Sequence, residues 1–153
     1  MRAMFTGIIE ETGKVESIHP RGKSFRLTLA IRKTGHGLRV GDSLAVNGCC
    51  LTVAEIAPKG RAKVAQFDLL NETWGLTNLQ YCRSGSLVNL ERSLEAGGRL
   101  SGHFVTGHID GMGKIVAWEQ VGGDRQLQIA APENVMRYAI HKGSVGLDGI
   151  SLT

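Results

Sequence analysis

The sequence has little proline, few cysteines and no long apolar run, and each shortage argues against a class of protein. Its 153 residues include 3 prolines and 3 cysteines. The cysteines, Cys49, Cys50 and Cys82, are odd in number and form no Cys-X-X-Cys pair, which argues against a disulfide framework or a zinc site and indicates a reducing, cytoplasmic setting. The sequence has no run of about 18 apolar residues, so no membrane span is predicted. The first residues lack the apolar core of a signal peptide.

Blocks of like charge are also missing. The net charge is +4, but lysine and arginine are scattered, and their densest group, residues 21–23, lies in a predicted turn. We therefore do not expect nucleic acid as a partner. Glycine is abundant, with 21 copies, beside 42% hydrophobic and 21% charged residues. This composition is typical of a globular protein with many short strands and tight turns, in one or two domains.

An internal repeat organises the chain. Two pairs of segments match at offsets of 100 and 101: residues 6–15 with 106–115, and residues 47–52 with 148–153. We interpret them as two copies of one domain, with bounds at residues 4–97 and 98–153. The first copy continues well beyond its Leu-Thr motif, whereas the second stops there, at Thr153. We therefore expect that the chain is truncated within the second copy.

The local pattern is mostly that of strands. Phe25–Ile31 alternates apolar and polar residues, as a half-buried strand does. Further short apolar runs predict strands at residues 43–46, 51–56, 64–69 and 87–90. Asn47 and Asp148 each precede a glycine, which predicts tight turns first and ligand contacts second. Short helices are predicted at about residues 72–79 and after Pro132, so the whole indicates a β-sandwich or a small closed barrel.

Six motifs, in order along the chain, resemble those of the riboflavin synthase family of lumazine-binding repeats. They are Met4–Ile9, Gly41–Val53, Phe67–Thr73, Val88–Arg92, Ser101–Gly111 and Lys142–Thr153. The resemblance implies an all-β fold of two tandem six-stranded Greek-key β-barrels with short helices, the second barrel being incomplete in this chain. It also implies a homotrimer for a full-length protein, with the active site between the first barrel of one subunit and the second barrel of a neighbour.

The resemblance further implies an activity, the last step of riboflavin biosynthesis, for which the family uses neither cofactor nor metal. One molecule of 6,7-dimethyl-8-ribityllumazine transfers a four-carbon unit to a second, giving riboflavin and 5-amino-6-ribitylaminouracil. Holding both molecules face to face removes about 7–11 kcal/mol of entropic cost, and a duplicated domain supplies two related pockets. A lumazine synthase shell is a further partner to test.

The two substrate molecules react differently, so positions at which the repeats differ are the best candidates for catalysis. Cys50 corresponds to Ser151 in the second repeat. His108 corresponds to Ile8 in the first. The resemblance places the family's catalytic residues at Phe5, Ser43, Cys50, His108, Ser151 and Thr153.

The roles of these residues are hypotheses. His108 is suited to moving protons near neutral pH, and Cys50 to acting as a weak acid or a nucleophile. Ser151 and Thr153 are suited to orienting a water molecule or polarising the ring by hydrogen bonds. Phe5 is suited to packing against the flat ring.

Substrate contacts implied by the resemblance fall on short segments of both repeats. Glycine at Gly7 and Gly107 lets the backbone approach a planar ligand closely, and the side chains of Asp68 and Thr73 suit ribityl hydroxyls. The complete set is Gly7, Ile8, Ile9, Cys50, Leu51, Thr52, Asp68, Leu69, Leu70, Asn71, Glu72, Thr73, Gly107, His108, Ile109, Lys142, Ser151, Leu152 and Thr153.

Other interpretations stay open. Cys50 taken alone fits a small buried hydrophobe, and Ser151 fits an ordinary strand hydroxyl. His103 is interpreted as structural, because residues five apart in a strand, as His103 and His108 are, face opposite sides and do not share a metal. The competing function is a non-catalytic lumazine- or flavin-binding antenna protein of the same fold, against which Cys50, His108 and Ser151 argue. A third hypothesis is that the first barrel alone dimerises and binds riboflavin. The family also places a catalytic aspartate beyond Thr153.

Overall fold

The computed structural model describes residues 3–153, and this part of the chain folds mainly as β-strands, which confirms the predicted class. The strands are β1 (Glu11–Arg21), β2 (Ser24–Ile31), β3 (Ser43–Val46), β4 (Cys49–Lys59), β5 (Ala62–Leu70), β6 (Leu87–Arg92), β7 (Lys114–Val121), β8 (Asp124–Ala130), β9 (Val145–Leu147) and β10 (Ile150–Leu152). The helices are α1 (Asn71–Leu76), a 3-10 helix (Asn78–Tyr81) and α2 (Glu133–Met136). Among the described residues, none of the helices has the length and hydropathy needed to cross a membrane.

The predicted strands of the first repeat are all present, as β2 to β6. The strand β1 went unpredicted because most of its residues are polar and few of its side chains are buried. The single helix predicted over residues 72–79 is wrong in its extent: Thr77, extended at φ −123°, separates α1 from the 3-10 helix. The helix predicted after Pro132 is present as α2.

The first repeat is a closed barrel in the order β1-β2-β5-β4-β3-β6. Every neighbouring pair is antiparallel. Inward-facing side chains such as Leu27, Leu29 and Ile31 of β2 are buried, whereas the residues between them are not. Leu79 of the 3-10 helix joins this core. Closure leaves every strand with a partner on each side, which removes the free edges of an open sheet.

The second repeat reproduces two hairpins of the first. The pair β7–β8 matches β1–β2, with Lys114 opposite Ala130 where Lys14 is opposite Ala30. Both hairpins also shift register at the same place, just after the residue that follows this lysine. The pair β9–β10 matches β3–β4. Residues 3–153 include no counterpart of β5 or β6, so the second barrel is incomplete and its hairpins form separate two-stranded sheets.

Equivalent turns of the two repeats lie in contact with each other. Asn47 and Asp148 both have positive φ, 46° and 48°, and each is followed by a positive-φ glycine, which confirms the predicted tight turns. The side chain of Asn78 links the turns: its Oδ1 accepts from Asn47 Nδ2 at 3.1 Å, and its Nδ2 donates to Asp148 Oδ1 at 2.9 Å. Burial raises the pKa of Asp148, although the hydrogen bond from Asn78 opposes this.

Candidate functional site

Two segments cross between the repeats, and we call them strap 1 (residues 5–9) and strap 2 (residues 105–109). They begin as an antiparallel bridge in which Phe5 N donates to Val105 O at 2.8 Å and Val105 N donates to Phe5 O at 3.1 Å. Each strap then lies along the other repeat. Cys50 N donates to Gly107 O, and Ser151 N donates to Gly7 O, both at 2.8 Å. The exchange is reciprocal, because the four residues are equivalent pairs in the two repeats.

Glycine is required at the point where each strap contacts a strand. Gly7 and Gly107 have φ of 77° and 76°, in the left-handed region. A Cβ added to Gly107 would lie 2.6 Å from the Cβ of Cys50, and one added to Gly7 would lie 2.7 Å from the Cβ of Ser151. The close backbone approach seen at these glycines is to a strand, and the predicted approach to a planar ligand stays a prediction.

The first-repeat site lies where β4 separates from β5. Their pairing runs from Val53 to Lys59 of β4 and leaves residues 50–52 outside the ladder. Because the strands are antiparallel and Val53 faces Phe67, the residues after Phe67 lie across from residues 50–52. Gly107 of strap 2 contacts this unpaired edge, and Ile109 packs on the barrel core. The structure thus brings together predicted segments that are distant in sequence.

The predicted residues of this site differ in how their side chains are placed. Leu51, Leu69 and Phe5 are buried, so within this chain their side chains support the fold. Cys50, Thr73, Ile109 and Ser43 are partly exposed. The exposed side chains are those of Thr52, Asp68, Leu70, Asn71, Glu72 and His108.

A cross-strand arginine fixes Asp68. Arg26 Nε and Nη2 donate to the two carboxylate oxygens of Asp68 at 2.8 and 2.7 Å. Arg26 Nη1 also donates to Glu55 at 2.6 Å. The hydrogen bonds from Arg26 hold the pKa of Asp68 below its usual range, so this carboxylate stays ionised and oriented at neutral pH. Arg26 is absent from the residues predicted from the sequence, although it lies directly opposite Asp68 in the β2–β5 register.

The second-repeat site contains Ser151, strap 1 and an unpredicted contact. His103 Nδ1 lies 2.7 Å from Ser151 Oγ. Leu152 and Thr153, which follow Ser151, are exposed, as are Ile8 of strap 1 and Lys142, whose φ is 59°. Within residues 3–153, no counterpart of β5 faces this edge.

A buried carboxylate anchors strap 1 to the closed barrel. Glu91 Oε1 accepts from Thr6 N at 2.6 Å and from Thr6 Oγ1 at 2.7 Å, and its Oε2 accepts from Gly7 N at 3.0 Å. The sequence signal was present, since Glu91 lies in the motif Val88–Arg92, but its partner is far away along the chain. Glu91 therefore positions the strap that contacts the second-repeat site.

The three cysteines lie in different surroundings. Cys49 is buried, and burial raises its pKa to about 12, so its thiol is a poor nucleophile. Burial also raises the pKa of Cys82, with a smaller contribution from the nearby Asp148. Cys50 is partly exposed, beside strap 2.

Comparison with known proteins identifies the class. The lumazine binding domain family matches residues 6–93 and 106–153, which are the two repeats. The fold resembles that of LumP in its riboflavin complex, with a TM-score of 0.83 and 25% identity over 96% of this chain and 78% of LumP. The LumP complex with 6,7-dimethyl-8-ribityllumazine gives a TM-score of 0.80 at 24% identity, over 97% of this chain and 77% of LumP.

The similar sequences define the family more narrowly. The riboflavin synthase of Actinobacillus pleuropneumoniae is 43% identical over 98% of this chain and 68% of its own length. The riboflavin synthases of Mycobacterium tuberculosis and Bacillus subtilis are 44% and 41% identical, again over 98% of this chain, which covers 73% and 68% of them. The chain therefore belongs to the riboflavin synthase family of lumazine-binding proteins.

Proposed function

We propose that this protein is a transferase that binds two molecules of 6,7-dimethyl-8-ribityllumazine, moves a four-carbon unit between them, and releases riboflavin and 5-amino-6-ribitylaminouracil. The observation that carries the proposal is the pair of equivalent strand edges, each contacted by a strap from the other repeat, with Cys50 at one edge and Ser151 at the other. Two related pockets with different reactive groups suit a reaction between two identical molecules.

In the first-repeat site, the backbone of residues 50–52 and 107–109 would pair with the pyrimidinedione edge of the ring. The ordered carboxylate of Asp68 and the hydroxyl of Thr73 would bind ribityl hydroxyls. His108 is exposed on strap 2 and would transfer protons. In the second-repeat site, residues 7–9 and 151–153 would play the equivalent binding part.

A complete reaction site would combine the first barrel of one subunit with the second repeat of a neighbour, which is the arrangement expected of the family trimer. Leu152 and Thr153 are exposed, beside the partly exposed Ser151, along an edge that no described strand covers, which is compatible with such a partner. We keep the domain bounds 4–97 and 98–153 as part of this proposal.

The second candidate function is binding without catalysis. It is favoured by the likeness to LumP, whose solved complexes contain a lumazine, riboflavin or flavin mononucleotide. A single experiment separates the two functions: the purified protein is mixed with the lumazine, and riboflavin is followed by absorbance and fluorescence. Conversion supports the transferase, whereas binding with no conversion supports the carrier.

The role of the thiol is tested with Cys50→Ser. Because acid–base or nucleophilic assistance acts on the transition state, we expect turnover to fall by roughly tenfold or more while riboflavin affinity changes little. Cys82→Ser is the matched control, since Cys82 is also partly exposed but is not one of the predicted site residues. An equal loss of turnover and affinity in Cys50→Ser would contradict a catalytic role.

A further inference from the structure

The imidazole of His103 is directed at the residue that distinguishes the second repeat from the first. His103 Nδ1 and Ser151 Oγ are 2.7 Å apart, a short hydrogen bond between two partly exposed side chains. The two residues are 48 positions apart in sequence. Neither the proposed reaction roles nor the packing of the barrel accounts for this contact.

Consecutive carbonyl groups of strap 1 hold the main chains of both partners. Thr6 O accepts from His103 N at 3.0 Å, and Gly7 O accepts from Ser151 N at 2.8 Å. The carboxylate of Glu91 in turn holds the N–H groups of Thr6 and Gly7. The distance between the imidazole and the hydroxyl is therefore set by a strap that Glu91 of β6 holds to the closed barrel, although the second barrel is incomplete.

Glycine at position 102, directly before His103, allows the backbone to lie close to strap 1 and to Ser151. A Cβ added to Gly102 would collide with Thr6 O and would lie 3.1 Å from the Cβ of Ser151. Any side chain at Gly102 would therefore push His103 away from the strap and from the serine.

The first repeat has no equivalent pair. At the repeat offset, Ser151 corresponds to Cys50 and His103 corresponds to Ala3, whose methyl group forms no hydrogen bond. The imidazole thus makes two otherwise related sites chemically different, which a reaction between an acceptor and a donor of the same structure requires.

We propose that His103 is a positioning residue for the reaction, an inference that rests on the proposed transferase function. With the proton of the imidazole on Nε2, Nδ1 accepts a hydrogen bond from the Ser151 hydroxyl. That hydrogen bond fixes the rotamer of the hydroxyl and directs the free lone pairs of Oγ away from His103, toward the edge at which the second lumazine binds. His103 itself does not touch the substrate.

The test uses the full-length protein with either His103→Leu or His103→Asn. Leucine removes the acceptor, whereas the amide oxygen of asparagine reaches the position of Nδ1. We expect His103→Leu to lower kcat by about tenfold with KM changed less than about threefold, the size of one lost hydrogen bond, and His103→Asn to restore most of kcat. His19→Leu, at an exposed histidine of β1, is the control.

A double-mutant cycle separates positioning from a general structural role. If His103 acts through the serine, His103→Leu has no further effect on kcat in the Ser151→Ala protein. Independent losses in that background, or an unchanged kcat in His103→Leu, would overturn the inference. Failure of the wild-type protein to convert the lumazine would instead remove the proposed function. In that case the cycle is measured with lumazine affinity in place of kcat. Coupled effects of the two substitutions on affinity would support the His103–Ser151 pair, and additive effects would reject it.

Discussion

The two repeats bury equivalent residues to very different degrees. Val15 of β1 is 0% exposed, whereas its counterpart Ile115 of β7 is 60% exposed. Leu44 of β3 is also 0% exposed, whereas its counterpart Val145 of β9 is 45% exposed. The hairpins β1–β2 and β7–β8 have the same register and the same bulge. Local structure is therefore reproduced in the second repeat, and burial is not.

The difference lies in the two strands that join the hairpins. In the closed barrel, β5 lies between β2 and β4, and β6 lies between β1 and β3. Without equivalents of these strands among the described residues, apolar side chains such as Ile115 of β7 and Val145 of β9 stay exposed. A hairpin is specified by its turn and its alternation, whereas a barrel core needs strands from distant parts of the chain. Uncovered apolar faces of this kind are also prone to association.

The largest predicted effect compares identical substitutions at equivalent positions. Leu27→Ala removes a fully buried side chain from the closed barrel and should lower the free energy of unfolding by about 2–5 kcal/mol. Leu127→Ala, at the partly exposed counterpart in β8, should lower it by less than about 1 kcal/mol. Urea denaturation of the 153-residue chain, followed by far-ultraviolet circular dichroism, measures both values.

Equal costs for the two leucine variants would contradict the comparison, because they would mean that the second repeat is packed as tightly as the first. The stacked pair of Phe25 and Trp74, with ring centroids 4.2 Å apart, gives a local reporter for the closed barrel. Because the second tryptophan, Trp118, lies in β7, fluorescence is read in a Trp118→Phe background, where it should change with the circular dichroism transition of the Leu27→Ala protein.

The features that could be predicted from the sequence are those with local signals. The alternation of Phe25–Ile31 predicted β2, and Asn47 and Asp148 before glycine predicted the tight turns. The repeat offset alone predicted that strap 1 is equivalent to strap 2. It also predicted that residues 47–52 are equivalent to residues 148–153, which puts Cys50 and Ser151 in equivalent positions. Their catalytic roles stay predictions.

The polar side-chain contacts that the sequence did not reveal join residues far apart in the chain. Glu91 binds Thr6 across 85 positions, and Asn78 reaches Asp148 across 70. His103 was interpreted as structural, and its partner, Ser151, could not be identified from spacing. A periodicity argument finds the face of an element, whereas these pairs depend on how two repeats and two straps are assembled.

A methyl group added to a strap should lower the free energy of unfolding more where the strap contacts the closed barrel than where it contacts the second repeat. Gly107→Ala would place a methyl group against Cys50 in the closed barrel, and should cost about 1–3 kcal/mol and weaken lumazine binding. Gly7→Ala should cost less, because its contact, Ser151, lies in a two-stranded sheet outside the closed barrel. Binding is measured by fluorescence titration and stability by urea denaturation.

Gly22→Ala is the matched control for backbone strain. Gly22 has a φ of 62°, but a Cβ added there meets no atom within 4 Å, so only the conformational cost of about 1 kcal/mol remains. If Gly22→Ala and Gly107→Ala lose the same stability and the same affinity, then the strap contact contributes nothing beyond backbone strain.

The smallest predicted effect concerns an ion pair of the closed repeat. Arg92 of β6 donates to the carboxylate of Glu10, with Nη2 2.7 Å from Oε2. Partial burial alone would raise the pKa of Glu10, but the hydrogen bonds and charge of Arg92 outweigh it and lower the pKa. The pKa of Glu10 is lower in the folded state than in the unfolded state. Its ionised carboxylate therefore stabilises the fold at pH values above the usual glutamate pKa of about 4.3, and this contribution is lost as the pH falls through the folded-state pKa.

Glu10→Gln should therefore cost about 1 kcal/mol near neutral pH, and the difference from the unsubstituted protein should shrink on acidification below about pH 4. Urea denaturation over a series of pH values measures this difference. Asp110→Asn is the control, since Asp110 is the exposed counterpart of Glu10 in the repeat without an equivalent of β6 among the described residues. A loss as large and as pH-dependent in Asp110→Asn would mean that the second repeat has an ion pair of its own, and that closure of the barrel is not what separates the two halves.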